Sequence, residues 1–202
     1  SKFVIYWGTS PSNGGNPFQK QAKMLSYARG TRDDFSYAVV DPSVTNAVKY
    51  ASSDKGRWIA IKPGTDSALA MAMIRWIIDN EKYATNYLIQ PNLDQAKLAG
   101  EIHWCNATHL VITEKGHKDY GKFALINNEW QVCSQDGKIQ SYKVNEPAKL
   151  YYKGKILIDG KKVEVKSSMQ LLKESAYKHS LEEYSKICGV SVEDIIWLCE
   201  NF

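Results

Sequence analysis

Three short apolar runs, residues 3–7, 37–40 and 58–61, each break off into a turn rich in Gly, Pro, Ser or Asp, and a helix-compatible stretch follows each turn. Four or five consecutive apolar residues, mostly β-branched or aromatic, make a strand apolar on both faces. Such strands alternating with helices specify a parallel sheet covered on both sides. Right-handed crossovers then put every strand-to-helix turn on one edge of the sheet. In sheets of this kind ligands bind at the carboxyl ends of the strands. The expected fold is therefore α/β, a Rossmann-like, mostly parallel sheet with helices on both faces, plus a small antiparallel β insertion and C-terminal helices.

The helix signals fit this frame. Asn16 and Pro17 suit the N-cap and first helical position of a helix running to about Arg29, with Gly30 as its stop. Ser43 can cap a short helix through Tyr50. Thr65 or Asp66 caps a helix over residues 67–81, whose apolar residues nearly encircle it. A helical segment at 93–99 precedes a fourth strand at 110–112. From Lys115 the alternation stops. Residues 123–126, 130–133 and 139–142 read as antiparallel strands joined by turns at Asn127-Asn128 and Asp136-Gly137. Asp159-Gly160 joins another hairpin, 156–158 with 163–165. Tyr151 and Tyr152 offer either a docking surface or, by their strand propensity, ordinary sheet packing. Ser180 with Glu183 forms a capping box closed by Gly189, and Ser191 caps a last helix through Cys199. The expected organisation is a Rossmann-like core over 1–114, a β-hairpin insertion over 115–166, and helices over 167–202 packing on the core.

Composition narrows the function. The formal net charge of +4 is mild and scattered, which gives no basic face for nucleic acid. No apolar run approaches the roughly 18–20 residues of a membrane span, so direct membrane insertion is not expected. Cys105, Cys133, Cys188 and Cys199 form no CxxC pair, and the four histidines are dispersed, so no metal site is expected. The chain opens on Ser1 without a methionine and enters a strand at once, and it is expected to be part of a longer polypeptide.

The chemistry concentrates in the three turns. Gly8-Thr9-Ser10-Pro11-Ser12-Asn13-Gly14-Gly15 offers unencumbered backbone amides and hydroxyls leading into a helix N-terminus, which suits a phosphate or pyrophosphate. It is not a GxGxxG fingerprint, and it also reads as a plain turn. Asp41 ends the second run, where an acidic residue can accept hydrogen bonds from ribose hydroxyls. Before Pro42 it serves equally as a turn former. Pro63-Gly64-Thr65-Asp66 leads into the longest helix. The Asp66 carboxylate can accept two N–H groups from the edge of a guanine, or it can cap the helix.

Taken together, residues 4–11 (VIYWGTSP), 39–42 (VVDP) and 58–72 (WIAIKPGTDSALAMA) resemble, in order and spacing, the guanine-dinucleotide domain of the molybdopterin oxidoreductase, or dimethyl sulfoxide reductase, family. Residues 73–88 also resemble the family helix. Residues 169–176 and the Lys/Tyr-rich insertion most resemble its tetrathionate-reducing branch. The resemblance implies molybdenum held by molybdopterin guanine dinucleotide, one dinucleotide lying across this domain. Trp7, Gly8, Thr9, Ser10, Pro11, Ser12, Asn13 and Gly14 would cradle phosphates and the pterin side. Val40, Asp41, Pro42 and Ser43 would meet ribose and guanine, and Gly64, Thr65 and Asp66 would complete the guanine pocket. It implies two-electron reduction of tetrathionate to thiosulfate, the S–S bond being cleaved at molybdenum, in anaerobic respiration. Its partners would be the remaining domains of the same polypeptide, a membrane anchor protein and an iron–sulfur electron-transfer protein. The parent would be Tat-exported to the periplasm or the outer face of the cytoplasmic membrane. The family's cluster cysteines and molybdenum ligand have no counterpart in this sequence. No residue is assigned as catalytic or metal-binding, and the chain alone is expected to be inactive. Two other classes remain: an NAD- or S-adenosylmethionine-type nucleotide enzyme, and a non-catalytic interaction module. Thiosulfate, polysulfide and arsenate reduction are further possibilities within the family.

Overall fold

In a computed structural model, residues 1–15, 18–46, 48 and 55–202 are described. The chain divides into two compact units, one of residues 1–80 with 179–202, the other of residues 81–178. These limits differ from the expected divisions at 114/115 and 166/167.

In the first unit, β1 (Phe3–Trp7), β2 (Ser36–Val40) and β3 (Gly56–Ile59) form a parallel sheet in the order β1-β2-β3. The register aligns the strand ends, Trp7 beside Val40 and Val40 beside Ile59. β3 lies two residues earlier than expected. The ladder ends as the Asp41 amide donates to the Ile59 carbonyl, and Lys62 then turns its own amide to Cys188. Ala60 and Ile61 thus belong to the exit, although Ile61 stays buried.

Alternate β2 residues enter opposite cores, as a pleated strand requires. Ala38 and Val40 join Ile59, Leu69, Ala72 and Met73 of α2 (Asp66–Asp79), with Tyr184 and Cys188 of α6 (Leu181–Cys188) and Ile195 and Leu198 of α7 (Val192–Asn201). Tyr37 and Val39 join Tyr6, Phe35 and Val48, with Leu25 and Ala28 of α1 (Phe18–Thr31) against them. Both faces are covered, though α1 contributes no fully buried residue. α2 buries one face rather than its circumference. Asn16 and Pro17, the expected start of α1, lie outside the described residues. Gly30 does not stop α1. The helix continues through Thr31, whose hydroxyl donates to the Tyr27 carbonyl. Of the helix expected from Ser43 through Tyr50, residues 47, 49 and 50 lie outside the described residues.

The C-terminal helices follow their sequence signals. Ser180 and Glu183 form the reciprocal capping box, Gly189 takes the left-handed conformation at φ 74°, and Ser191 caps α7 through the Asp194 amide.

In the second unit, α3 (Thr85–Leu88) and α4 (Leu93–Leu98) precede two antiparallel sheets. One is β4 (Leu110–Ile112), β9 (Lys161–Ser167) and β8 (Lys153–Ile158), in that order. The other is β5 (Leu125–Ile126), β6 (Glu129–Cys133) and β7 (Ile139–Ser141). Two expectations are thereby corrected. The 110–112 run is not a fourth parallel strand: β4 pairs antiparallel with β9, Leu110 opposite Ser167. A three-residue apolar run carries no information about partner direction. The fold is also not mostly parallel, because β4 to β9 are all antiparallel. The result is a mixed α/β chain with one three-stranded parallel sheet, two antiparallel sheets and helices.

The hairpin turns form where expected. Asn127 and Asn128 have φ of 53° and 60°, and Asp159 and Gly160 have 49° and 75°, matching the strand twist with left-handed residues. α5 (Ser168–Ala176) stays with this unit rather than the first one. Its Ser168 and Met169 amides donate to His109 and Ala107, and buried Ser167 both caps it and donates to the Leu150 carbonyl. Tyr152 packs beside the core of Leu110, Ile156 and Val165, and Lys173 lies over the Tyr151 ring, so both tyrosines are packing residues. Among the described residues no helix is long and apolar enough to cross a membrane.

Candidate functional site

The aligned ends of β1, β2 and β3 release three turns at one rim of the parallel sheet, and hydrogen bonds join them. At the first turn the Gly8 amide donates to the Val40 carbonyl, tying the end of β1 to the end of β2. Gly8 has φ 60°, a left-handed conformation that a side chain would strain. The Asn13 and Gly14 amides both return to the Ser10 carbonyl, so the chain curls into a compact turn. Gly14 also leaves room for Phe18, since an added Cβ would stand 3.1 Å from the Phe18 Cβ.

At the second turn, Asp41 Oδ1 accepts the Ser43 amide at 2.8 Å. Ser43 is thus a donor in an Asp-centred turn. Trp58 of β3 donates its indole N–H to the Asp41 carbonyl at 2.8 Å. The Asn46 side chain donates to Asn13 Oδ1 at 2.8 Å, joining the first and second turns.

The third turn is fixed from behind by α6. Lys62 donates its amide to the Cys188 carbonyl and its Nζ to the Lys186 carbonyl, at 2.8 and 3.0 Å. The ammonium lies at the carbonyl end of the helix, where a cation is favoured. Gly64 then turns with φ 76°, and the Thr65 hydroxyl donates to the Lys62 carbonyl at 2.6 Å. Thr65 occupies the N-cap position of α2 but makes no side-chain cap, and Asp66 does not cap either. Asp66 Oδ1 accepts the Trp7 indole N–H at 2.6 Å, which joins the first and third turns across 59 residues.

Ser10, Asp41 and Asp66 thus belong to one connected rim. All the expected residues from 7 to 14, 40 to 43 and 64 to 66 are described, and each stands at or within one residue of these turns. Pro11 is buried, while Gly8, Thr9, Ser12, Asn13, Pro42, Ser43, Gly64 and Asp66 are exposed. Sequence reasoning did not identify Thr45, Asn46, Trp58 or Lys62. Trp58 and Lys62 carried a usable signal, since an indole N–H or an ammonium at a strand end needs an acceptor.

The rim carries hydrogen-bonding groups without partners among the described residues. Asp41 and Asp66 enter no ion pair among the described residues, so both carboxylates remain available as acceptors for ribose or base N–H and O–H groups. The Ser10 and Thr45 hydroxyls are shut off from solvent and have no hydrogen-bond partner among the described residues. A buried orphan hydroxyl costs about 1–3 kcal/mol, which a rotamer change toward a ligand would recover. The positions beside Gly8 and Gly64 are open, with nothing within 4 Å of an added Cβ. Among the described residues no group of three or more His, Cys, Asp or Glu side chains could hold a metal ion. The four cysteines are free, and burial pushes the Cys199 thiol up to about 12.

The family profile described as molybdopterin oxidoreductase matches residues 1–182. The chain belongs to the molybdopterin oxidoreductase family. Over its whole length it is 41% identical, across 209 aligned residues, to a tetrathionate reductase subunit of Salmonella typhimurium, covering 20% of that protein. A selenate reductase subunit of Mesobacillus selenatarsenatis is 34% identical over 82% of this chain and 16% of its own length. A tetrathionate reductase subunit of Archaeoglobus fulgidus is 34% identical over 71% of this chain and 13% of its own length. This member of the molybdopterin oxidoreductase family therefore spans a fifth or less of the length of these relatives.

Proposed function

We propose that this chain is a cofactor-binding portion of the catalytic subunit of a molybdenum oxidoreductase, binding the dinucleotide arm of molybdopterin guanine dinucleotide at its parallel-sheet rim. The carrying observation is the hydrogen-bonded convergence of three strand-end turns, with the Trp7–Asp66 bond as its longest-range link. The β1-β2-β3 order is what one half of a Rossmann-like sheet has, and in such a half the ligand lies over these turns. Residues 8–14 would hold the phosphates, Asp41 with Val40, Pro42 and Ser43 the ribose side, and Gly64, Thr65 and Asp66 the guanine. When bound, the cofactor supplies two-electron redox chemistry at molybdenum. This chain's residues bind and orient it.

Tetrathionate is the favoured substrate of the parent enzyme. Two tetrathionate reductase relatives support this, one of them over the whole chain. The selenate reductase relative favours selenate as the second reading. An iron–sulfur cluster elsewhere in the polypeptide, electron-transfer and membrane-anchor partner proteins, and an export route to the periplasm in anaerobic respiration complete the proposal. Calorimetric titration of the chain with GDP, NAD and S-adenosylmethionine tests the cofactor class. The proposal expects heat with GDP and little with the others. Preference for NAD or S-adenosylmethionine would replace it with a different nucleotide enzyme.

A further inference from the structure

We infer that Trp7 is a positioning residue for nucleobase recognition, acting through Asp66 rather than by cradling phosphates. The inference rests on the guanine-binding reading above. Asp66 is exposed and stands in the first turn of α2, where a carboxylate would ordinarily rotate freely or fold back onto the helix amides. It does neither, because Oδ1 is held by the Trp7 indole at 2.6 Å. The indole is itself anchored by packing: Trp7 is half-buried and lies against the core that contains Val40, Ile59 and Leu69. An amphipathic ring with an apolar body and one directed N–H donor is suited to this task.

The effect is to fix the carboxylate plane before any ligand arrives. Among the described residues Oδ2 has no partner, and Oδ1 retains acceptor capacity, so two neighbouring N–H groups of a base can be received together. The Asp66 and Ser67 amides, at the uncapped start of α2, have no hydrogen-bond acceptor among the described residues and lie beside that carboxylate. Two acceptor oxygens next to free amide donors complement an edge with two N–H groups and one carbonyl, which is the edge guanine presents and adenine and cytosine lack. Freezing the carboxylate in the free protein removes an ordering cost that binding would otherwise carry. On the neighbouring turn Trp58 holds the backbone rather than the carboxylate. Its indole holds the Asp41 carbonyl at 2.8 Å while Ser43 holds Asp41 Oδ1.

The test measures affinity of the full chain for GDP, for inosine diphosphate (which lacks the 2-amino group) and for inorganic pyrophosphate, in wild type and Trp7→Phe. A second variant carries 3-benzothienylalanine at position 7, which keeps the ring shape and replaces the N–H by sulfur. Wild type should prefer GDP over inosine diphosphate. Both variants should weaken GDP by about fivefold, the scale of one lost hydrogen bond, shift the GDP-to-inosine-diphosphate ratio toward one, and leave pyrophosphate affinity unchanged. An unchanged ratio in the isosteric variant overturns the positioning role while leaving nucleotide binding intact. A parallel loss of pyrophosphate affinity makes Trp7 a scaffold or phosphate-loop residue and also overturns it. A wild-type chain indifferent to the 2-amino group removes the guanine reading, and the role of Trp7 with it.

Discussion

Replacing Gly189 by Ala tests how the third turn is held. Gly189 ends α6 at φ 74°, and a Cβ there would stand 3.0 Å from both Cγ and Cε of Lys62. Holding Ala in the left-handed region costs about 1–2 kcal/mol. The Lys62 stem must also move, which endangers the bond from its Nζ to the Lys186 carbonyl. That bond is partly exposed and contributes roughly 0.5–1 kcal/mol. The expected total is about 2 kcal/mol, a lowering of the melting midpoint by roughly 4–8 °C for a chain of this size. Urea unfolding followed by tryptophan fluorescence and by circular dichroism would measure it. Gly189→Asn should recover part of the loss, because Asn visits the left-handed region more readily but still carries a Cβ. Lys62→Ala should make Gly189→Ala less damaging, with a coupling of roughly 0.5 kcal/mol in a double-mutant cycle. A Gly189→Ala variant within about 0.5 kcal/mol of wild type, or a cycle with no coupling, would refute the packing argument.

Four further outcomes follow from the same geometry. Ser180→Ala removes one half of the reciprocal cap of α6 and should cost about 1 kcal/mol in urea unfolding, with Ser180→Asp retaining most of the stability. At alkaline pH the chain should lose stability. Burial raises the Cys199 thiol to about 12 and also raises Tyr6, Cys133, Tyr151, Tyr152 and Tyr184, so above about pH 9 the unfolded chain releases protons that the folded chain keeps. A melting midpoint that stays flat from pH 8 to 11 would contradict this. Native Cys199 should resist alkylation at pH 8 and react only on unfolding, as mass mapping with iodoacetamide would record. The chain by itself should show no viologen-linked tetrathionate reduction, and measurable turnover would require a catalytic group that our proposal does not assign.

Much of the parallel sheet was legible because a strand that must be buried on both faces has a narrow alphabet. Residues 3–7 and 37–40 needed no tertiary information to be read as parallel strands, and Asn127-Asn128, Asp159-Gly160 and Ser180/Glu183 carry their own backbone chemistry. What failed depended on partners, near or distant, that the local pattern does not name. The 110–112 run became antiparallel because β9, more than fifty residues later, supplied the matching edge. Gly30 stayed helical because nothing nearby demanded a left-handed residue, and Thr65 left its cap position unused because its hydroxyl found the Lys62 carbonyl. The links that unite the rim, Trp7 to Asp66 and Asn46 to Asn13, join segments 59 and 33 residues apart, and no local pattern encodes them.

The most direct measurement is a two-dimensional amide NMR titration of the chain with GDP. Binding at the rim predicts that the amides of Gly8 to Ser10, Ser12 to Gly14, Asp41, Ser43 and Gly64 to Asp66, together with the Trp7 and Trp58 indole N–H signals, shift along one saturation curve. Shifts confined to a single turn, or centred on the antiparallel unit, would contradict the shared nucleotide rim.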